Sequence, residues 1–209
     1  MADPRPARAR LGVLISGRGS NMEALARAAA DPAWPAEVAV VIANRGDAAG
    51  LATARGLGLP AEVVPHLGMG GRAGFEAALQ QRLEAHGVEL IALAGFMRIL
   101  SADFVRRWEG RMLNIHPSLL PAFPGLDTHA RALAAGCKVH GATVHFVTPD
   151  LDDGPIVAQA VVEVRDDDTP ETLAARVLRQ EHRIYPEAVA LLAAGRLSID
   201  GRRVRRMPG

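Results

Sequence analysis

The clearest chemical pattern in this sequence is an amide and an imidazole two residues apart, Asn114 and His116, at the end of an apolar run. Side chains two residues apart on a strand point to the same side, so the pair can face one reacting group together. An amide N–H donates a hydrogen bond to a developing oxyanion, and a titratable ring supplies a proton or a charge. Pro117 and Pro121 are expected to end the strand and stiffen the next loop. The alternative, from these residues alone, is a strand end with two hydrogen-bonded polar side chains.

A glycine-rich turn, Ser16–Asn21, follows a short apolar run and precedes a predicted helix. Such a junction binds anions, because free backbone N–H groups and the helix dipole point at the turn. The expected phosphate contacts are Gly19, Ser20 and Asn21. The turn lacks the lysine of a P-loop and the third glycine of a dinucleotide fingerprint, which predicts binding of one phosphate group. The alternative is a capping box from Ser20 to Glu23 that satisfies the same N–H groups internally.

An acidic turn between Asp150 and Pro155 contains three aspartates, Asp150, Asp152 and Asp153. A carboxylate beside an imidazole favours the protonated ring. One of these aspartates would therefore support His116 if the fold brought the two side chains together. The residues by themselves leave the choice among the three open, and most acidic turns are simply solvated.

Two further patterns resemble ligand sites but have simpler explanations. The glycine run Gly68–Gly74 does not directly follow a buried strand, and it is predicted to be a mobile surface loop in which Arg72 is available to an anionic ligand. His140 and His145 lie five residues apart on a predicted strand, so they face opposite sides. Neither a thiolate partner nor a His-Glu-x-x-His spacing accompanies them, and the sequence therefore predicts no metal site.

Bulk composition limits the class of protein. The chain has 209 residues, of which 49% are hydrophobic and 22% charged, and its net charge is +1. The length suffices for one α/β domain or at most two small lobes, and the composition fits an ordinary soluble globular protein. The balanced charge gives no reason to expect nucleic acid or a membrane as a partner. Cys137 is the single cysteine, which excludes an intrachain disulfide. Neither a signal peptide nor an apolar run near the ~20 residues of a membrane span is apparent. We expect a cytoplasmic protein with small-molecule partners, as a monomer or weak homodimer.

Short apolar runs alternate with helical patterns, which predicts a mostly parallel sheet with helices on both faces. Strands over 139–147 and 156–164 are predicted to be antiparallel and joined by the acidic turn. The last helix is predicted to open at Thr169 and Pro170, and Pro186 is expected to kink or break it. The expected fold is Rossmann-like α/β, with a twisted sheet, a C-terminal antiparallel hairpin and a long final helix.

Together these segments resemble the phosphoribosylglycinamide formyltransferases, a family of folate-dependent enzymes of purine synthesis. The order and spacing of the matching runs carry the resemblance, which covers about residues 11–195. One departure is Asp127, where many members carry histidine. The matching runs are Val13–Asn21, Leu93–Ser101, Leu113–Pro121, Pro124–His129, His140–Val147, Leu151–Pro155 and Gln180–Pro186.

The resemblance implies a catalytic group formed by Asn114, His116 and Asp152, and so selects Asp152 among the three aspartates. It implies transfer of a formyl group from the co-substrate 10-formyltetrahydrofolate to the primary amine of 5-phosphoribosylglycinamide, without a metal. The ligand contacts that it implies are Gly19, Ser20 and Asn21 for the phosphate, Glu181 for the ribose, and Arg72, Met97, Arg98, Ile99, Leu100 and Asn114 for the folate.

The expected organisation is a disordered leader over 1–10, a single formyltransferase domain over 11–197 and a tail over 198–209 whose arginines are solvated. Within the domain, residues 11–110 are expected to form the phosphate-binding half and residues 111–197 the catalytic and folate half.

Three alternatives remain open. A formyltetrahydrofolate deformylase shares the chemistry with water as the acceptor, but such enzymes usually carry an N-terminal regulatory domain, and here about ten residues precede the first strand. A methionyl-tRNA formyltransferase adds a C-terminal tRNA-binding domain that this chain length does not accommodate. A non-catalytic binding module would use the loop Gly17–Asn21 and leave Asn114, His116 and Asp152 unexplained.

Overall fold

The computed structural model describes residues 8–208 as alternating strands and helices. The strands are β1 (Ala9–Ile15), β2 (Ala36–Ala43), β3 (Ala61–Val63), β4 (Leu90–Leu93), β5 (Met112–His116), β6 (Val139–Phe146), β7 (Ile156–Glu163), β8 (Leu197–Asp200) and β9 (Arg203–Arg206). The helices are α1 (Ser20–Ala29), α2 (Ala49–Gly56), α3 (Arg72–Ala85), α4 (Ala102–Arg107), α5 (Thr128–Ala134) and α6 (Pro170–Ala193).

One sheet joins the described strands in the order β3-β2-β1-β4-β5-β6-β7-β9-β8. Pairing is parallel from β3 through β5, with helices in the crossovers that parallel strands require. Strand β6 then runs antiparallel to both β5 and β7. The predicted fold class, a mostly parallel sheet with an antiparallel hairpin and a long final helix, is confirmed.

Helices cover both faces of the sheet, as predicted. Leu25 of α1, Leu51 of α2 and Tyr185 of α6 belong to the core on one face. Phe75 of α3 and Phe104 of α4 belong to the core on the other face. Strands between two such layers have no solvent side, which explains why β1 from Leu11 onward and β4 are continuous apolar runs rather than alternating ones. None of the described helices combines the length and apolarity needed to cross a bilayer.

The predicted leader requires correction at its inner end. Residues 1–7 lie outside the described residues, whereas Ala9 and Arg10 already belong to β1. Arg10 is the register partner of Glu37 on β2, and its Nη1 atom lies 2.6 Å from Glu37 Oε1. This cross-strand ion pair extends the ladder into a segment whose polar composition gives no strand signal.

The tail predicted over 198–209 was wrong for most of its length, because β8 and β9 form a hairpin there. Gly201, with φ +58°, stands in its two-residue turn, where a left-handed conformation suits glycine. The arginines of β9 are exposed, as expected. Leu197 and Val204 nevertheless pack against the core, and this burial orders a segment that appears solvated from its charges alone.

Helix α6 begins at Pro170 behind the N-cap Thr169, as predicted. Of the kink or break expected at Pro186, the break does not occur, since the helix continues to Ala193. Proline removes one main-chain donor from the helix interior. Tyr185 and Ala188 on either side of it are 0% and 1% exposed, so packing against the sheet holds the helix together across the missing hydrogen bond.

The hydroxyl of Tyr185 attaches α6 to the centre of the sheet. Its oxygen lies 2.9 Å from the carbonyl oxygen of Leu93 on β4 and 3.1 Å from that of Leu113 on β5. Burial raises the pKa of Tyr185, so the hydroxyl keeps its proton and acts as the donor. The contact lies where the sheet changes from parallel to antiparallel pairing.

We expect Tyr185→Phe to lower the free energy of unfolding by about 1–3 kcal/mol, because two buried carbonyls lose their donor while the ring volume is kept. Urea denaturation measures the change. Arg183→Ala, at an exposed position of the same helix, serves as the control and should shift the value by less than about 0.5 kcal/mol. Equal unfolding free energies for Tyr185→Phe and wild type would show that the hydroxyl contributes nothing.

Candidate active site

Two cavities open beside the carboxyl ends of β1, β4 and β5, the edge at which parallel α/β sheets usually bind ligands. The anion cavity, of about 430 Å³, is lined by the glycine-rich turn together with Asn44 and Arg45. The apolar cavity, of about 780 Å³, is lined by the segment after β4, the end of β5 and the acidic turn. Gly95, Met97 and Arg98 line both, so the two cavities share a wall.

The glycine-rich turn presents the N-terminus of α1 to the anion cavity. Gly19 is the N-cap, with φ +77°, and a Cβ atom there would lie 2.9 Å from the Cα atom of Gly50. Within residues 8–208 no side chain caps this helix, so the alternative capping box from Ser20 does not form. Ser20 and Asn21 line the cavity, and the N–H groups of the first turn remain available to an anion.

Asn21 connects the turn to α6. Its Nδ2 atom donates to Oε2 of Glu181 over 2.6 Å, and both side chains are buried. Burial raises the pKa of Glu181, and the hydrogen bond from Asn21 opposes that rise. The Oδ1 atom of Asn21 is buried without a partner among the described residues. The phosphate and ribose positions implied by the sequence therefore adjoin, although the described cavity lining includes Asn21 and not Glu181.

Asn114 and His116 leave β5 at the wall of the apolar cavity, and the acidic turn brings Asp152 to the same wall. His116 Nδ1 lies 3.4 Å from Asp152 Oδ2, and Nε2 lies 3.0 Å from the carbonyl oxygen of Phe123. Both ring nitrogens thus face acceptors, which is the arrangement that an imidazolium with two N–H donors satisfies. The other two aspartates of the turn are exposed.

His145 joins this group, although the sequence pattern raised it only as a metal ligand. It is the register partner of Asn114, and its Nε2 atom lies 3.1 Å from Asn114 Nδ2 and 3.8 Å from Asp152 Oδ1. Burial lowers the pKa of His145, so its neutral ring donates from Nδ1 to the Phe146 carbonyl and accepts the Asn114 amide at Nε2. His145 therefore orients the amide. This orienting role of His145 follows from the register of β5 against β6, which places His145 opposite Asn114.

The loop over 117–127 is fixed to the antiparallel half of the sheet by polar side chains. Thr143 Oγ1 on β6 donates to the Ser118 carbonyl over 2.7 Å and accepts the Leu120 N–H at 3.1 Å. Gln159 Nε2 on β7 donates to the Leu120 carbonyl over 2.8 Å. These bonds hold the loop over the end of β5, and so place the carbonyl that His116 contacts.

Three non-glycine residues of the site have positive φ values: Phe123 (54°), Asp127 (56°) and Asp152 (53°). Each such conformation costs of order 1–3 kcal/mol and persists where surrounding contacts over-determine it. For Asp152 one such contact is the Gly125 N–H, which donates to its Oδ2 atom over 2.9 Å. Asp127, the departure from the family pattern, lines the apolar cavity at the start of α5.

Five of the six residues implied for the folate line the apolar cavity, and two of them, Met97 and Ile99, are 65% and 63% exposed. The five are Met97, Arg98, Ile99, Leu100 and Asn114. Arg72 behaves differently from its prediction as a loop residue: it is the first residue of α3, it is exposed, and the described linings of both cavities omit it. Its ligand contact stays a prediction.

A second histidine pair lies beside His116. The rings of His129 and His140 meet edge to face with centroids 5.2 Å apart. Burial lowers the pKa of both, that of His140 to about 4, with neighbouring imidazoles adding to the effect. Both rings are therefore neutral at neutral pH. Over residues 8–208, no group of three or more His, Cys, Asp or Glu side chains is arranged to hold a metal ion.

These features define a class of protein: an α/β group-transfer enzyme in which an anion-binding turn and an apolar cavity meet beside an amide, an imidazole and a carboxylate. Within that class the particular assignment comes from comparison with known proteins. The chain belongs to the formyl transferase family, whose model matches residues 9–189.

Named relatives extend the comparison. The chain is 42% identical over 199 residues to phosphoribosylglycinamide formyltransferase of Escherichia coli (strain K12), covering 92% of this chain and 94% of the relative. It is 48% identical over 200 residues to the trifunctional purine biosynthetic protein adenosine-3 of Bos taurus, covering 95% of this chain and 20%, or a fifth, of that protein. The crystal structure of glycinamide ribonucleotide transformylase 1 from Symbiobacterium toebii matches with a TM-score of 0.94 at 50% identity, over 96% of this chain and 95% of that one.

The buried histidines predict an acid-sensitive fold. Because the pKa of His140 is about 4 when folded and 6.5 in its ordinary state, the unfolded chain binds more protons between these values. The neutral ring of buried His140 therefore contributes fully to stability above pH 6.5, and this contribution is lost as the pH falls toward 4. Replacing His140 by Gln should therefore reduce the fall in unfolding free energy between pH 7 and pH 4.5, by about 1–3 kcal/mol. Urea denaturation at both pH values measures it, with His86→Gln as a control outside the cluster. Identical falls in wild type and His140→Gln would contradict the prediction.

Proposed function

We propose that this chain transfers the formyl group of 10-formyltetrahydrofolate to the primary amine of 5-phosphoribosylglycinamide, a step of de novo purine biosynthesis. One observation carries the proposal: Asn114, His116 and Asp152 stand together on the wall of an apolar cavity that adjoins an anion cavity. A reaction between an apolar donor and a phosphorylated acceptor requires such a junction. The names of the relatives agree with this assignment.

The anion cavity suits the phosphorylated substrate. The N–H groups at the start of α1 offer donors to the phosphate through Gly19, Ser20 and Asn21, and the helix dipole favours negative charge there. Glu181 and the Oδ1 of Asn21, which has no partner within residues 8–208, offer acceptors to the ribose hydroxyls. A phosphate bound at the turn would direct the amine end of the substrate toward the shared wall, where Met97 lines both cavities.

The apolar cavity suits the folate. Its side chains after β4, from Met97 to Leu100, offer apolar surface to a flat heterocycle. The segment 148–152 also lines the cavity and offers main-chain donors and acceptors to the heteroatoms of the ring. Asn114 lines the same cavity, and its amide can donate to a formyl group bound there. Arg72 is kept as a proposed contact of the folate.

The chemistry follows from these positions. The amine nitrogen forms a bond to the formyl carbon, and the resulting tetrahedral oxyanion collapses by breaking the bond to N10 of the folate. Asn114 donates a hydrogen bond to the oxyanion and the positive charge of the protonated His116 ring stabilises it, while Asp152 balances the charge of the ring. The proton lost by the amine balances the proton gained by N10, and His116 with Asp152 can relay it. The step needs no metal.

A deformylase remains the nearest alternative, because the same residues would stabilise the same oxyanion with water as the nucleophile. The anion cavity favours the transferase, since water needs no phosphate-binding turn. We also retain the cytoplasm as the expected compartment and small molecules as the expected partners, with the chain a monomer or weak homodimer.

The function is tested by following tetrahydrofolate production from 10-formyltetrahydrofolate with and without phosphoribosylglycinamide. We expect product to depend on the glycinamide, with the formyl group recovered on its amine. Equal rates without the glycinamide, with release of formate, would make the protein a deformylase. Binding of both ligands without turnover would assign it instead as a binding module.

His116→Ala and Asp152→Asn are expected to lower kcat by about 10²–10³, the cost typical of losing one group that stabilises the oxyanion, while leaving the fold intact. Steady-state kinetics and circular dichroism measure the two effects. His86→Ala serves as the matched control, because this histidine pairs with Glu62 outside both cavity linings of the described chain. Near-normal turnover in either site variant would remove that residue from the mechanism.

A further inference from the structure

The acidic turn that presents Asp152 must be held in place by contacts with other parts of the chain. Asp152 has a positive φ, and the turn has few internal bonds, one being Thr148 Oγ1 to the Asp150 carbonyl at 3.2 Å. At its end Gly154 passes so close to β6 that a Cβ would lie 1.7 Å from the Phe146 carbonyl oxygen. The turn therefore depends on neighbouring elements to keep the carboxylate in place, since catalytic geometry tolerates errors of about 0.5 Å.

One such neighbour is the β8–β9 hairpin. Strand β9 pairs in parallel with β7 through Ile156 and Arg203, which brings the tip of the hairpin beside the acidic turn. At that tip Arg202 binds Asp153 with both ends of its guanidinium, Nη1 at 2.9 Å and Nη2 at 2.7 Å. Two parallel N–H···O bonds fix the relative orientation of the two groups, which a single contact would not do.

This contact is poorly suited to stabilising the fold. The side chains of Arg202 and Asp153 are 71% and 49% exposed, and solvent screens such pairs strongly. Asp153 is nevertheless the chain neighbour of Asp152, whose side chain is buried, so a restraint on one main-chain position acts on the other. The hairpin also lies beyond the part of the chain that the family model matches, which ends at residue 189.

We propose that Arg202 is a positioning residue for formyl transfer, which acts by holding Asp153 and thereby the carboxylate of Asp152. The inference rests on the proposed catalytic role of Asp152. The C-terminal hairpin is thus a support for the acidic turn, and its solvent-exposed arginines are not equivalent: Arg205 pairs with Asp200 inside the hairpin and makes no such connection.

The test uses Arg202→Met, which removes the guanidinium and keeps much of the stem, and Arg205→Met as the matched control, at low ionic strength. We expect Arg202→Met to lower kcat by about two- to fivefold, the range set by an exposed ion pair, with the KM for phosphoribosylglycinamide unchanged. Arg205→Met should retain the wild-type kcat. Thermal unfolding midpoints of the two variants should agree within about 2 °C, which excludes a general loss of stability.

Two further comparisons separate positioning from other effects. In an Asp152→Asn background, Arg202→Met should cause no additional loss of kcat, because the carboxylate that it positions is absent. The exchanged pair Arg202→Asp with Asp153→Arg should regain part of the kcat lost in Arg202→Asp alone.

The outcomes distinguish a failure of the positioning role from a failure of the proposed function. Equal kcat values for Arg202→Met and Arg205→Met, or a full additional loss in the Asp152→Asn background, would overturn the positioning role while leaving the proposed reaction intact. Near wild-type activity of Asp152→Asn itself would overturn both the proposed role of Asp152 and the inference that depends on it.

Discussion

The carboxylate of Asp152 is the interaction on which the site depends. Its Oδ2 atom accepts the Gly125 N–H and lies 3.4 Å from His116, while its Oδ1 atom lies 3.8 Å from His145. These contacts join the end of β5, the loop after it, strand β6 and the acidic turn. A buried carboxylate is stable only when donors surround it, so each segment must reach its place for the others to be held there.

The change of strand direction at β5 makes this meeting possible. The parallel half of the sheet places the glycine-rich turn at its carboxyl edge. Strand β6 runs away from that edge, and the acidic turn that follows β6 brings Asp152 back to His116. Tyr185 fixes the junction by donating to carbonyls of β4 and β5. The anion and apolar cavities share a wall because both arise at this junction.

Stability and function occupy different parts of the molecule. The two cores between helices and sheet are apolar and close-packed, whereas the site contains the strained backbone of Phe123, Asp127 and Asp152. It also contains the neutral histidines and the unpartnered oxygen of Asn21. Strained backbone conformations cost free energy, and they persist only where the surrounding segments are rigid. The exposed hairpin fits the same division, since its contact with the acidic turn adds orientation rather than stability.

The sequence alone determined the structural features that depend on residues close together in the chain. Strands buried on both faces were readable as apolar runs, the start of α6 from its capping residues, and the common side of Asn114 and His116 from the period of a strand. Residue types left three aspartates open, and resemblance to a family selected Asp152. Only the tertiary structure decided that His145 faces Asn114, that Glu181 meets Asn21 across 160 residues, and that the arginine-rich tail folds as a hairpin. The reason is physical. Strand register and the burial of a few apolar side chains such as Val204 depend on residues far apart in the chain. No local pattern shows which distant residue will complete such a contact.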